Sequence, residues 1–300
     1  MCCTSKGYEP MEALEGKDAR VWDGARWVST HVEAVEMCGL VTVVLSNGVT
    51  LTCTPNVALR SSAGSCTLPV FADAGALVDC VSLPVVSGEE EVLYPFLQGV
   101  YCASGALVPL EGERTARVLT LVGKVASEVE QHTDVVRTDE GIDFPRDLPT
   151  GMKVPLSATL QDKAEWLSGL LSARYHYNEF GMCFSTPSVL FARDLQLLLF
   201  SLGVHARVVQ GAPLCFHQRM EGKDLAVSAT LHQVEVAFDQ MPKLAGYGFR
   251  HHDVRPGDGQ PRETRLCAVA DLRRVGKAYS FRDGEGKTFV LNGVVCMPMK

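Results

Sequence analysis

Over roughly the first 90 residues, apolar and polar positions alternate in short runs with no helical period. Val21-Trp22, Trp27 to Val32, Val41 to Leu45 and Val49 to Cys53 are β-branched or aromatic stretches, and Asp23-Gly24 and Asn47-Gly48 between them are two-residue turn signals. The pattern predicts a compact all-β unit rich in hairpins. Beyond residue 90 the period changes. Arg117 to Val125 alternates, and the polar stretch Glu128 to Asp147 predicts a helix followed by a proline-containing loop. A helix is predicted from Asp162 through Leu171, with Thr159 or Gln161 as its N-terminal cap. Apolar residues at 191, 195, 198, 199 and 202 predict an amphipathic helix from Phe191 to Leu202, closed by Gly203. Val204 to Gln210 then reads as a strand, Val227 to Phe238 as a last strand pair, and Met241 to Tyr247 as a short helix ending at Gly248.

Two nine-residue segments organise this second region. Leu167 to Tyr175 reads L-S-G-L-L-S-A-R-Y after Trp166, and Leu97 to Gly105 reads L-Q-G-V-Y-C-A-S-G. Gly169 and Ala173 in one, and Gly99 and Ala103 in the other, are four residues apart, so each pair falls on one helix face and lets a second backbone approach closely. The expectation is a pseudo-twofold pair of packed helices.

Composition narrows the function classes. The chain has 300 residues, 46% hydrophobic and 21% charged, enough for one or two well-packed domains. It has no run of eighteen apolar residues and its start lacks the apolar core of a signal peptide, which predicts a cytoplasmic protein with no membrane role. Eleven cysteines, never spaced C-x-x-C, suit a reducing compartment and argue against zinc. The net charge is −7, and residues 94 to 260 hold 15 Lys or Arg against 19 Asp or Glu. Neutralising phosphates needs a basic stripe, so this balance argues against a chain whose main task is holding nucleic acid.

Both nine-residue segments resemble the LAGLIDADG signature of homing endonucleases, residue for residue. The resemblance implies an αββαββ saddle, and an acid at the eighth position that holds metal ions over the scissile phosphates. The residues there are Ser104 and Arg174. A hydroxyl is a poor ligand for a hard divalent cation, and a guanidinium repels it. The flanking regions resemble the Hint, or intein, splicing domain, most closely inteins of ribonucleotide reductase large subunits. The likeness rests on Cys3 to Gly7, Tyr8-Glu9-Pro10-Met11, Leu14-Glu15-Gly16-Lys17, Val21-Trp22-Asp23-Gly24, Leu51 to Asn56, Ala278 to Phe281 and Thr288 to Val295. In that family a first-residue Cys or Ser attacks its preceding carbonyl, and Cys3 is the best-placed residue for that step. The histidine of the T-x-x-H motif falls on Val57, which can neither donate a hydrogen bond nor shuttle a proton. A later histidine is replaced by Lys287, and Cys296-Met297-Pro298 stands where the final asparagine is expected.

The expected architecture is therefore α+β: a Hint-like β domain in two parts, residues 1–90 and 263–300, around a LAGLIDADG-like insert, residues 91–262. With the reactive groups substituted, the expected function is a non-catalytic binding or structural scaffold for a protein partner, without cofactor, metal or small-molecule substrate. The resemblance also suggests a bacteriophage source, with a bacterial host cell as its compartment. Two alternatives stay open: a nuclease-dead DNA-binding protein, and a residual enzyme using displaced acids such as Asp79 or cleaving at Cys3. Arg174, Tyr175, His176 and Tyr177 form a binding candidate in which the aromatic residues stack on bases, against a plain surface cluster at a helix end. Gly248-Phe249-Arg250-His251-His252 reads as a linker in preference to a metal site. Cys2-Cys3 reads as a mobile terminus in preference to a reactive pair, and Glu89-Glu90-Glu91 as a solvated turn.

Overall fold

The computed structural model describes residues 1–61, 64, 66–69, 72–78, 83–110, 113–118, 127, 129–131, 135–139, 141–220, 223–247, 263–282, 284 and 287–298. The first part is β-rich: β1 (Cys2–Thr4), β2 (Gly7–Glu9), the one-turn helix α1 (Met11–Leu14), β3 (Asp18–Trp22), β4 (Trp27–Leu45), β5 (Thr50–Cys53), β6 (Val57–Arg60), β7 (Cys66–Thr67) and β8 (Leu77–Val78). Next come helix α2 (Pro95–Ser104) and strands β9 (Gly105–Leu110), β10 (Glu113–Val118), β11 (Val136–Thr138) and β12 (Gly141–Asp143). Helix α3 (Leu160–Ala173), β13 (His176–Tyr177), β14 (Gly181–Thr186), helix α4 (Val189–Ser201), β15 (Arg207–Met220), β16 (Lys223–Ala237) and helix α5 (Met241–Ala245) follow. The chain then returns to β structure with β17 (Thr264–Phe281), β18 (Phe289–Leu291) and β19 (Val294–Pro298).

Three antiparallel sheets result. The largest, of eleven strands, runs β7-β6-β19-β18-β1-β3-β4-β17-β8, with β2 beside β1 and β5 beside β4. Strands from both ends of the sequence are neighbours in it, Cys2 facing Leu291 and Val57 facing Pro298. Cys2 and Cys3 are thus not a mobile terminus. Both are fully buried, and strand alternation sends Cys2 into a core with Val21, Val32 and Phe289, and Cys3 into one with Val43, Val294 and Val295. The stretches read as separate strands at Trp27–Val32 and Val41–Leu45 are one strand of 19 residues. Polar Glu33 and Gly39 between them are held in it by β17, opposite Ser280 and Val275. At the Asn47-Gly48 turn, Gly48 has φ +81° and a Cβ there would overlap the Val208 carbonyl oxygen, so only glycine fits.

The middle of the chain is two copies of one plan. The first copy is α2 with a sheet of order β9-β10-β12-β11, and the second is α3 with a sheet of order β13-β14-β16-β15; α4 packs on the latter. Numbering the strands of each copy one to four, both sheets have order 1-2-4-3. The polar stretch Glu128 to Asp147, predicted helical, instead carries β11 and β12, with helical residues only at 127, 129 and 130 among those described. These strands are three residues each, too short to show a period. The segments read as Val204–Gln210 and Val227–Phe238 belong to one hairpin whose strands have 14 and 15 residues. Residues 119–126, Asp79 and the segment 248–252 lie outside the described residues.

Helix α3 starts where the Thr159 hydroxyl accepts the Asp162 N–H at 3.2 Å, and α4 where Ser188 accepts that of Phe191 at 3.2 Å. One core joins α3 and α4 to β14 and β16 through Trp166, Leu167, Leu170, Leu195, Leu198, Val234 and Val236. Another places Leu197 and Phe200 of α4 among Cys3, Val43, Val294 and Val295 of the large sheet. The second copy therefore shares a hydrophobic core with the β unit, whereas α2 packs on Ile142 and Phe144 of its own sheet. No described helix is long and apolar enough to cross a membrane.

Candidate saddle site at the helix pair

The helices α2 and α3 meet backbone to backbone. A Cβ on Gly99 would overlap the Trp166 carbonyl oxygen, and one on Gly169 would overlap that of Phe96. Both contacts carry the same offset of 70 positions, from 99 to 169 and from 96 to 166, so the two helices meet in register about this seam. Ala103 is buried beside it, and Ala173 is half-buried between the two cores that flank it. The same offset equates Ser104, the half-buried last residue of α2, with Arg174, the exposed C-terminal cap of α3.

Each sheet turns one face to the helices; among the described residues no hydrophobic cluster covers the other, open face. Val234 and Val236 point into the α3 core, so Glu235 between them lies on the open face; Asp143, between Ile142 and Phe144, does the same in the first copy. Register pairing then defines one row across each open face. In the first copy it runs Ala106, Arg117, Asp143, Val136. In the second it runs His176, Cys183, Glu235, Arg207. The fourth strand supplies a buried acid in both, Asp143 at 7% and Glu235 at 4% exposure. Each acid has an arginine partner, but from opposite neighbours: Arg117 of strand two bonds Asp143 through Nε and Nη2, and Arg207 of strand three bonds Glu235. Asn178 Nδ2 donates a second bond to Glu235 at 2.9 Å, and the Arg207 guanidinium lies 4.8 Å over the Phe180 ring. Burial, with Glu235 beside it, pushes the Cys183 thiol up to about 12.

The binding candidate at residues 174–177 is split by this geometry. Arg174 and His176 are exposed, and His176 belongs to the open row. Tyr177 pairs with Met182, a core residue, and stacks on Phe238 with ring centroids 6.4 Å apart; Tyr175 packs on Tyr177 at 5.5 Å. The two tyrosines thus cover the helix side of the sheet edge instead of joining His176. Arg117, Asp143, Arg207 and Glu235 join this site without any local motif in the sequence. Their only signal is hairpin register, which places charges from distant segments opposite one another.

At the intein-like positions the structure separates the residues. Cys3 faces the core with Tyr8 beside it, and burial raises its thiol to about 12. Val57 opens β6, half-buried, and Lys287 is exposed in the turn before β18. Beneath Cys3 lies Lys163 of α3, fully buried, whose Nζ donates to the Val86 carbonyl at 2.9 Å; burial brings its ammonium down to about 8. Among the described residues no group of three or more His, Cys, Asp or Glu is placed to hold a metal ion.

No family model matches the chain. It is 29% identical, over 337 aligned residues, to a ribonucleoside-diphosphate reductase large subunit of Invertebrate iridescent virus 6, a match covering 98% of this chain. It spans only 34% of that subunit's length. Among solved structures it is similar to I-DmoI, a LAGLIDADG homing endonuclease in complex with its target DNA nicked in the coding strand. That likeness has a TM-score of 0.34 at 11% identity and covers 53% of this chain and 96% of that one. The viral relative corrects the expectation of a non-enzymatic protein: what the chain is similar to in sequence is a subunit of an enzyme.

Proposed function

We propose that the chain is an intein-type element related to a segment of viral reductase large subunits, in which residues 1–90 and 263–300 form the Hint-like unit and the insert 91–262 engages duplex DNA. The observation that carries this reading is the repeat itself: one helix and one 1-2-4-3 sheet, twice, in register about a glycine seam. Two open sheet faces related by a pseudo-twofold axis suit a ligand whose backbone has the same symmetry. With a net charge of −7, long-range attraction is weak, so affinity depends on contacts made at the faces.

Fluorescence anisotropy with labelled duplexes tests this. Affinity should fall as salt rises, by a log–log slope of about −0.9 for each phosphate contacted. Absence of duplex binding in low salt overturns the reading. Adding Mg²⁺ or Mn²⁺ to the same samples and reading nicks on a gel determines whether scission accompanies binding.

A protein partner is the second reading. It is favoured by Val35, Met37 and Val275, which are 43%, 63% and 61% exposed on paired strands β4 and β17. Polar substitution of Met37 and Val275 should abolish co-purification of such a partner while leaving duplex binding unchanged.

A further inference from the structure

The two open faces share one strand order and one row of paired residues but carry different chemistry. Four equivalences can be read from the register. Arg174 corresponds to Ser104 and His176 to Ala106, each by the offset of 70. Arg207 corresponds to Val136, each facing the fourth-strand acid from strand three. Gln233 corresponds to Gly141, each two residues before that acid. At all four positions the second copy has a side chain able to bond a phosphate or a base edge. The first copy has a hydroxyl, a methyl, an isopropyl and nothing.

The reverse substitution does not restore the balance. The first copy's arginine on this row, Arg117, is 6% exposed and bound to Asp143 by two nitrogens, so its charge is spent inside the protein. Arg174 and His176 are exposed, Gln233 is half-buried, and the Arg207 side chain is 24% exposed while bonding Glu235. The second copy is also the braced one. Val208 N–H donates to the Asn47 carbonyl at 2.9 Å, Gln196 Nε2 bonds the same carbonyl at 2.8 Å, and Val86 N–H donates to Ser201 at 2.8 Å. A contact surface pinned to a second sheet loses less conformational freedom on binding.

We propose that recognition is one-sided: the open face of the second copy, through Arg174, His176, Gln233 and Arg207, holds and reads duplex DNA, and the equivalent positions Ser104, Ala106, Gly141 and Val136 of the first copy make no contact that reads it. This rests on the DNA-engaging reading of the insert. Arginine supplies a planar fork for phosphate or guanine, and the Gln233 amide offers a donor and an acceptor to an adenine edge. The first copy holds its half of the saddle in place through the seam.

The experiment uses the full chain, a duplex selected from a random pool, and hydroxyl-radical footprinting beside anisotropy. Arg174→Gln should weaken binding about tenfold and flatten the salt slope by about one. Gln233→Ala should relax base preference, while Ser104→Ala and Val136→Ala stay within twofold of the parent. The footprint should protect one side of the site. Equal losses from both copies or a symmetric footprint would overturn one-sided recognition while leaving DNA engagement intact, and tighter binding to an RNA duplex would overturn DNA as the partner. No duplex binding by the parent chain overturns the functional reading as well.

Discussion

The two copies in the insert differ in how they satisfy the same physical requirement. Each buries one carboxylate on its fourth strand, and a buried carboxylate needs a cation and hydrogen bonds. The first copy takes its arginine from strand two and seals the pair; the second takes it from strand three, adds Asn178, and leaves Arg207 24% exposed. The constraint therefore acts on the charge balance of the row and not on which strand supplies the charge. The side that places its arginine outward is also the side welded to the large sheet through Asn47, Gln196 and the core around Phe200. Structure and chemistry are both asymmetric, on one repeated strand order.

The largest effect should come from the seam that makes the copies equivalent. Gly99→Val and Gly169→Val each put a branched side chain where a carbonyl oxygen already sits, costing roughly 3 kcal/mol or more. The two losses should be similar, and Gly39→Ala, where a Cβ meets nothing within 4 Å, should be tolerated. Denaturant unfolding reads all three, and a native-like Gly99→Val would break the equivalence at its root.

Next come the arginines. Arg117→Ala strands Asp143 in a closed site and should cost about 3–5 kcal/mol. Arg207→Ala leaves Glu235 with the Asn178 bond and removes a side chain that is itself 24% exposed, so water can replace it, and should cost about 1–2 kcal/mol. Equal costs would contradict the sealed-versus-open distinction.

Lys163 gives a pH signature of the braced side. Its ammonium titrates near 8 when folded, against 10.5 ordinarily, because burial disfavours the charge. Between those values the unfolded chain holds a proton that the folded chain has released, so this residue makes stability rise with pH across that window. Relative to Lys163→Met, the parent should gain about 2 kcal/mol from pH 8 to 10. Comparing the two cancels the buried thiols, whose raised titration acts in the opposite direction above pH 9. A flat difference would place Lys163 in solvent.

The smallest effects are the caps. Thr159→Ala and Ser188→Ala should each cost about 1 kcal/mol in thermal unfolding. Both helices belong to the second copy, so neither change should alter the first copy's amide protection.

Local signals made much of the second copy readable in advance. Thr159 and the apolar spacing from Phe191 to Leu202 mark α3 and α4 within a few residues, and Asn47-Gly48 forms the expected turn. Strands β11 and β12 were hidden because three residues cannot display alternation, and β4 was split because its polar middle is held by β17, more than two hundred residues away in sequence. Arg174 and His176 could be named from the sequence, but not their separation from Tyr175 and Tyr177, because only pairing with β14 decides which face each takes. The Cys2-Cys3 segment was misjudged for the same reason: its partners β18 and β3 lie elsewhere in the chain.

Equilibrium binding of the full chain to duplex DNA, followed from about 50 to 200 mM salt, tests the central claim most directly. A dissociation constant that climbs with salt, by a log–log slope that Arg174→Gln reduces by about one, is the predicted result. No saturable binding at the lowest salt would contradict it.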